Sequence, residues 1–316
     1  MSIVRTDVPM TSRLCGETIR ALVERYPFLR TRQLGSTAYG RPLEAVVIGQ
    51  GERRVLYTAA HHANEWITAT VLLKYLEDLA QAEEAGGRIY GVPARTITDA
   101  ATVYLVPMVD PDGVDLVTGA IAAGSREYIR ARALGEHYPD IPFPDGWKAN
   151  LMGVDLNLQY PAGWLLAREI KFSQGFTRPG PRDYVGRAPL SQQESRALAE
   201  FTREVDPSLV LAYHTQGGEI YWQFRDIPVP GARALGEEFA RLSGYSLAET
   251  PYASSFAGFK DWFIQTFHRP GFTIEAGRGE NPLPLRQFDE IYRDNLGILV
   301  TAATGLPGGA GAPVQN

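Results

Sequence analysis

The chain has 316 residues, 44% hydrophobic and 21% charged, with a formal net charge of -5; this is the make-up of a globular protein with a large core, without the basic excess of a nucleic-acid binder. Its single cysteine, Cys15, excludes an internal disulfide framework and any CxxC metal site, so a metal would fall to carboxylates and to the five histidines, His61, His62, His137, His214 and His268. The N-terminal segment lacks the apolar core of a signal peptide and no run approaches the ~18 apolar residues of a membrane span, so the cytoplasm is the expected compartment and no membrane partner is expected.

In chain order, a short helix is expected from Thr11 or Ser12 to about Tyr26. LEAVVIGQ (43–50) and RRVLYTAA (53–60) read as two strands joined by a turn at Gly49–Glu52. The second strand runs into HHANEW, after which Ile67–Ala82 has helical apolar spacing. His61 to Trp66 therefore sit where a strand ends and a helix begins, the place where open α/β sheets put their sites. A third strand, TVYLVPMV (102–109), ends in an expected turn, DPDG (110–113). Residues 114–190 carry few periodic runs and read as a long functional loop. Ser191 and Glu194 have the spacing of a capping box for a helix to about Val205. The strand SLVLAYH (208–214) follows, then helices near 231–243 and 258–266, the strand GFTIE (271–275) and a helix over about 285–302. No repeat or mid-chain linker appears, so residues 1–304 read as one domain. The Gly/Pro/Ala-rich tail 305–316 is expected to be disordered.

A catalytic zinc takes three nitrogen or oxygen ligands and keeps one position open. His62 and Glu65, three residues apart at a helix start, share a face and can reach one ion; the neighbouring His61 has Asn64 at that offset. His214 closes an apolar strand, where an unliganded imidazole would need another partner for its nitrogens. Two strand ends of one sheet would bring His62, Glu65 and His214 together. His61 reads as a packing neighbour, and His137 and His268 as surface or loop residues. Glu275, at the end of the apolar strand FTI and before AGRG, is the candidate general base, its pKa raised by burial and modified by a nearby metal charge.

These pieces together resemble the carboxypeptidase A-like zinc metallopeptidases: HHANEW, DPDG at 110–113, GVDLN at 153–157, the strand ending in His214 and FTIE ending in Glu275, in family order over about residues 43–300. The resemblance implies a single α/β domain with a mixed, roughly eight-stranded sheet and helices on both faces. It implies one zinc ion on His62, Glu65 and His214, with Glu275 activating water and then protonating the leaving amine. It further implies that Asp155 orients the first zinc histidine, that Asn157 helps hold a substrate carboxylate, and that Tyr252 closes over the substrate.

Two positions depart from the family pattern. Leu158 stands where typical members carry an arginine that clamps a C-terminal carboxylate. Lys148, in WKANLMG, is the best occupant for the arginine that stabilises the oxyanion, as a point charge without a planar fork. This profile is similar to the bacterial γ-D-glutamyl-diamino acid peptidases, which cut peptidoglycan peptides before meso-diaminopimelate or lysine; WKANLMGVDLN, LQYPAGW and GFKDWFIQTFHRPGFTIEAGRGENPL carry the likeness. Lys260 then falls where the family sets preference for the primed side chain. Arg168, Lys171, Arg178 and Arg182 are coherent with further carboxylate contacts and equally with a solvated cation-rich loop, so they are not among the expected site residues. The expected partner is a peptidoglycan-derived peptide. The alternatives are a metallocarboxypeptidase with a relocated carboxylate anchor, a zinc deacylase of N-acyl amino acids, and a non-catalytic cell-wall peptide-binding module.

Overall fold

Apolar residues alternate between two cores along the central strands, because successive strand side chains point to opposite faces. Val55 and Tyr57 enter one core while Leu56, between them, enters the other. The structure, a computed structural model, describes residues 2–305. The tail expected over 305–316 lies, from residue 306 on, outside the described residues.

In chain order the strands are β1 (Arg30–Ser36), β2 (Pro42–Ile48), β3 (Arg53–Thr58), β4 (Arg88–Ile89), β5 (Val92–Pro93), β6 (Ala101–Val106), β7 (Leu209–His214), β8 (Glu219–Tyr221), β9 (Ser246–Ala248) and β10 (Gly271–Glu275). The helices are α1 (Ser12–Arg25), α2 (Ile67–Ala85), α3 (Ala94–Ala100), α4 (Pro111–Val117), α5 (Arg126–Gly135), α6 (Trp164–Ser173), α7 (Gln193–Val205), α8 (Ala232–Ser243), α9 (Phe259–Phe267) and α10 (Phe288–Thr304). Among the described residues the main sheet has eight strands in the order β1-β2-β6-β3-β7-β10-β8-β9, and β4 and β5 form a separate pair. The centre, β6-β3-β7-β10, is parallel; β1/β2, β2/β6 and β10/β8 are antiparallel. Helices α1, α2, α3, α8 and α10 cover one face and α6, α7 and α9 the other, as parallel strands buried on both sides require. The single-domain mixed α/β architecture expected from the sequence is the one observed.

Four local expectations are corrected. The strands β2 and β3, expected as a turn-joined pair, are not neighbours: β6 lies between them, antiparallel to one and parallel to the other. DPDG is not a free turn but the start of α4: Asp110 accepts a hydrogen bond from the Gly113 N–H at 3.0 Å and Pro111 opens the helix. Gly113 is required there, since a Cβ would lie 2.3 Å from Asp110 Oδ2 and 2.5 Å from the Ala149 carbonyl. The expected loop 114–190 contains α5 and α6; α5 buries only Ala131, so it left little periodicity to read. The capping box before α7 does not form. Gln192 is the N-cap residue, Ser191 donates to Gln159 Oε1 instead, and the Glu194 carboxylate is buried where the Asn150 amide reaches it at 3.3 Å.

Candidate metal centre and active-site cleft

The carboxyl ends of β3, β7 and β10 converge. Register pairs Thr58 with Ala212 and His214 with Glu275, so residues just beyond β3 meet the last residues of the other two strands. After β3 the chain passes His61 and His62 into a single 3-10 turn, Ala63–Glu65. That turn sets His62 and Glu65 on one side, and the Ala63 N–H donates to the Lys148 carbonyl at 3.0 Å, tying in the loop that carries Lys148.

His62 Nδ1 lies 3.0 Å from Glu65 Oε1, His214 Nδ1 lies 2.8 Å from Glu65 Oε2, and the two Nδ1 atoms are 3.2 Å apart. All three side chains are buried. Two ring nitrogens this close, both turned to one carboxylate, match the edge of a tetrahedral zinc site, for which ~2.05 Å bonds give N···N of about 3.3 Å. These three residues form a group able to hold a metal, and two imidazoles with one carboxylate are a catalytic-zinc donor set. His62 Nε2 faces Asp155 Oδ1 at 3.2 Å, which fixes the tautomer that leaves Nδ1 a lone pair for a metal.

The electrostatics follow the same geometry. Burial acts to lower the His62 pKa, but Glu65 and Asp155 outweigh it and lift the imidazole to about 9. Burial acts to raise the Glu65 carboxyl, and His62 and His214 hold it well below the usual carboxylate range. Asp155 is likewise held low, against burial, chiefly by His62. Glu275 goes the other way: burial, reinforced by Glu65, raises it to about 8, with Lys148 and His62 pulling it down. Burial thus lifts the Glu275 carboxyl towards neutrality, the direction a proton-transfer group needs.

The other expected residues are placed as follows. Asp155 accepts from the Asn157 backbone N–H at 3.1 Å as well as facing His62. Lys148 Nζ lies 3.8 Å from Glu65 Oε1 and lines the cleft over the metal-type cluster. Asn157 lines it too, with its amide group between His214 Nε2, at 3.4 Å, and the Phe259 N–H, at 3.0 Å. Leu158 forms part of the cleft wall. Lys260 also lines the cleft, but it is buried, donates to the Gln223 carbonyl at 2.6 Å and pairs with Asp261 at 2.6 Å. Tyr252 stands outside: it is 68% exposed with its ring against Phe256, while Thr250, Pro251 and Ser254 of the same segment reach the cleft. Of the loop cations, Lys171 reaches the cleft, Arg182 pairs with Asp183, Arg168 lies over Phe172, and Arg178 is exposed. His61 packs against His214 with ring centroids 5.5 Å apart, and His137 and His268 are exposed.

Three residues escaped the sequence reading. Asp183 bonds Lys171 and Arg182. Tyr221 lines the cleft with its hydroxyl on Glu219. Asn281 donates to the Thr215 carbonyl at 2.9 Å and reaches Glu65 Oε1 at 3.5 Å. The three-residue β8 carries too little periodicity to point to Tyr221; Asn281, in GRGENP just after Glu275, had a positional signal.

The zinc carboxypeptidase family matches residues 16–297. The γ-D-glutamyl-L-diamino acid endopeptidase 1 of Lysinibacillus sphaericus is 43% identical over 282 residues, 89% of this chain and 69% of the relative. An uncharacterized Bacillus subtilis (strain 168) protein, YqgT, is 39% identical over 285 residues, 89% of this chain and 73% of the relative. Among solved structures, bovine thrombin-activatable fibrinolysis inhibitor in complex with tick carboxypeptidase inhibitor superposes with a TM-score of 0.69 at 16% identity, covering 95% of this chain and 97% of that one, a likeness of fold.

Proposed function

We propose that this chain, which belongs to the zinc carboxypeptidase family, is a zinc metallopeptidase that hydrolyses the γ-D-glutamyl–diamino acid bond of peptidoglycan-derived peptides. The observation that carries the reading is the 43% identity to an endopeptidase of that specificity over 89% of the chain, with the His62, Glu65 and His214 cluster, of which His62 lines the cleft, as its chemical support.

In this reading His62, Glu65 and His214 hold one zinc ion. A zinc bound there lowers the pKa of water and polarises a carbonyl. The chain's own residues do the rest. Glu275, on the cleft wall, takes a proton from the water that attacks the amide carbon and returns it to the departing amine. The ammonium of Lys148 meets the negative charge that develops on the carbonyl oxygen. Asp155 keeps the His62 ring in one orientation. Leu158 offers no charge, so a substrate carboxylate must find its cation elsewhere in the cleft. The cytoplasm is the compartment in this reading, to be checked by fractionation.

Mass spectrometry of products from L-Ala-γ-D-Glu-meso-diaminopimelate, with zinc-loaded and with chelated enzyme, tests it. Free diaminopimelate released only with zinc is the expected result. An uncut substrate alongside cleavage of ordinary C-terminal peptides would replace the reading with that of a metallocarboxypeptidase.

A further inference from the structure

Three lysines line the cleft, Lys148, Lys171 and Lys260, and they differ in how many of their donors are spent. An ammonium carries three N–H donors and no acceptor. Lys260 Nζ donates to the Gln223 carbonyl at 2.6 Å, reaches Thr250 Oγ1 at 3.5 Å and forms an ion pair with Asp261 Oδ1 at 2.6 Å. Its charge is countered and two of its donors are engaged. Lys148 faces the metal-type cluster through Glu65. Lys171, on the last turn of α6, is 8% exposed, yet among the described residues its ammonium has one acceptor, Asp183 Oδ1 at 2.7 Å. A nearly buried ammonium at a cleft wall with two donors unspent is costly unless something else takes them up.

The surroundings specify what that is. Asp183 also accepts from Arg182 Nε at 2.7 Å, so one carboxylate serves two cations, with the buried Asp155 carboxylate close enough to act on both. Asp183 is built in firmly: its N–H donates to Asp155 Oδ2 at 3.3 Å, and its backbone sits at φ +63, a left-handed conformation that non-glycine residues adopt at a cost. Leu158, in the same cleft lining, has a side chain that offers neither charge nor hydrogen bond. A group that brings two acceptors takes up the unspent donors of Lys171, and a carboxylate does so with a charge that matches the ammonium.

We propose that Lys171, pinned by Asp183, is the carboxylate anchor of the cleft and binds a free carboxylate next to the scissile bond of the peptide. This rests on reading the cleft as the site of a γ-D-glutamyl-diamino acid peptide. Such a substrate carries the α-carboxylate of D-glutamate and the two carboxylates of diaminopimelate.

The test is a cycle between enzyme and substrate. Zinc-loaded wild type and Lys171→Met are assayed on L-Ala-γ-D-Glu-meso-diaminopimelate and on three derivatives, each with one carboxylate converted to a carboxamide. Wild type should prefer the carboxylate over the amide at the D-glutamate α position or at the L-centre of diaminopimelate, on either side of the scissile bond; a preference confined to the far D-centre would overturn the placement. Lys171→Met should shrink that preference by roughly 10- to 100-fold, the range of a charge-assisted hydrogen bond, mainly through KM. Lys171→Arg should restore much of it. If Lys171→Met does not fold, Lys171→Gln carries the same comparison. Equal preferences in wild type and variant at all three positions would overturn the anchor and leave the proposed activity standing. No cleavage of any of the four peptides by wild type would overturn the activity, and the anchor with it.

Discussion

Replacing Glu194 with glutamine should change how stability depends on pH. Glu194 is 2% exposed, and its carboxyl is raised from the ordinary 4.5 to about 7, first by burial and then by its neighbour Asp112. Asp110, buried beside it with Oδ2 lacking a hydrogen-bond partner, is raised as well. The folded chain therefore keeps a proton on Glu194 that the unfolded chain releases near pH 4.5. The contribution is fully present below that pH and is lost as pH rises through about 7. A gap of 2.5 pH units corresponds to about 3 kcal/mol. At this chain length roughly 2 °C accompany each kcal/mol, so the melting temperatures should diverge by about 6 °C across the window. Glu194→Gln keeps the shape and the acceptor for the Asn150 amide but has no proton to lose. Thermal melts of wild type and Glu194→Gln at pH 4.5 and pH 8, with saturating zinc, give the comparison. Zinc affinity itself varies with pH, but equally in both proteins, so their difference isolates Glu194. Parallel pH profiles would refute the argument, because they would mean that Glu194 ionises in the fold without penalty.

The remaining predictions concern the cleft. Glu275→Gln should retain one zinc per chain by elemental analysis while kcat falls by about 10²- to 10⁴-fold, the range of a lost general base; near-normal turnover would remove Glu275 from that role. Asp155→Asn should weaken zinc by about 10- to 100-fold in competition with a metal indicator, as losing the partner of a ligating imidazole does; unchanged affinity would show that His62 is oriented by something else. Chelation should lower the melting temperature of wild type, since zinc at 1,000 times its Kd adds about 4 kcal/mol to the fold. Glu65→Gln should narrow that difference, and an equal drop in the variant would place the stabilising metal outside the cluster.

The site was legible in the sequence where chemistry coincides with strong local pattern. His62, His214 and Glu275 each stand at or just past the end of an apolar strand, and parallel strands align such ends by register. Legibility failed where tertiary contacts set a side chain's direction. Lys260 lies in the cleft as its position implied, but Gln223 and Asp261 take up its ammonium. Tyr252 is on the expected segment, yet its ring packs on Phe256 away from the cleft. Ser191 and Glu194 have capping-box spacing, but the buried cluster of Asn150, Asp110 and Asp112 draws Glu194 inward. Helix α5 and the short β8 and β9 bury too few residues to leave a period.

The residue that joins these parts is Asp155. One of its oxygens faces His62 Nε2 and accepts from the Asn157 N–H; the other accepts from the Asp183 N–H. The carboxylate that fixes the metal-facing imidazole thus also fixes two backbone segments, one carrying Asn157 and the other carrying the partner of Lys171. A buried anion can satisfy this many donors only if they arrive in the right geometry, and each of them favours its charged form. The His62 side of the candidate metal cluster and the partner of Lys171 are therefore held by one shared buried charge. Asp183 itself stands at φ +63 while its N–H meets Asp155 and its carboxylate holds Lys171 and Arg182.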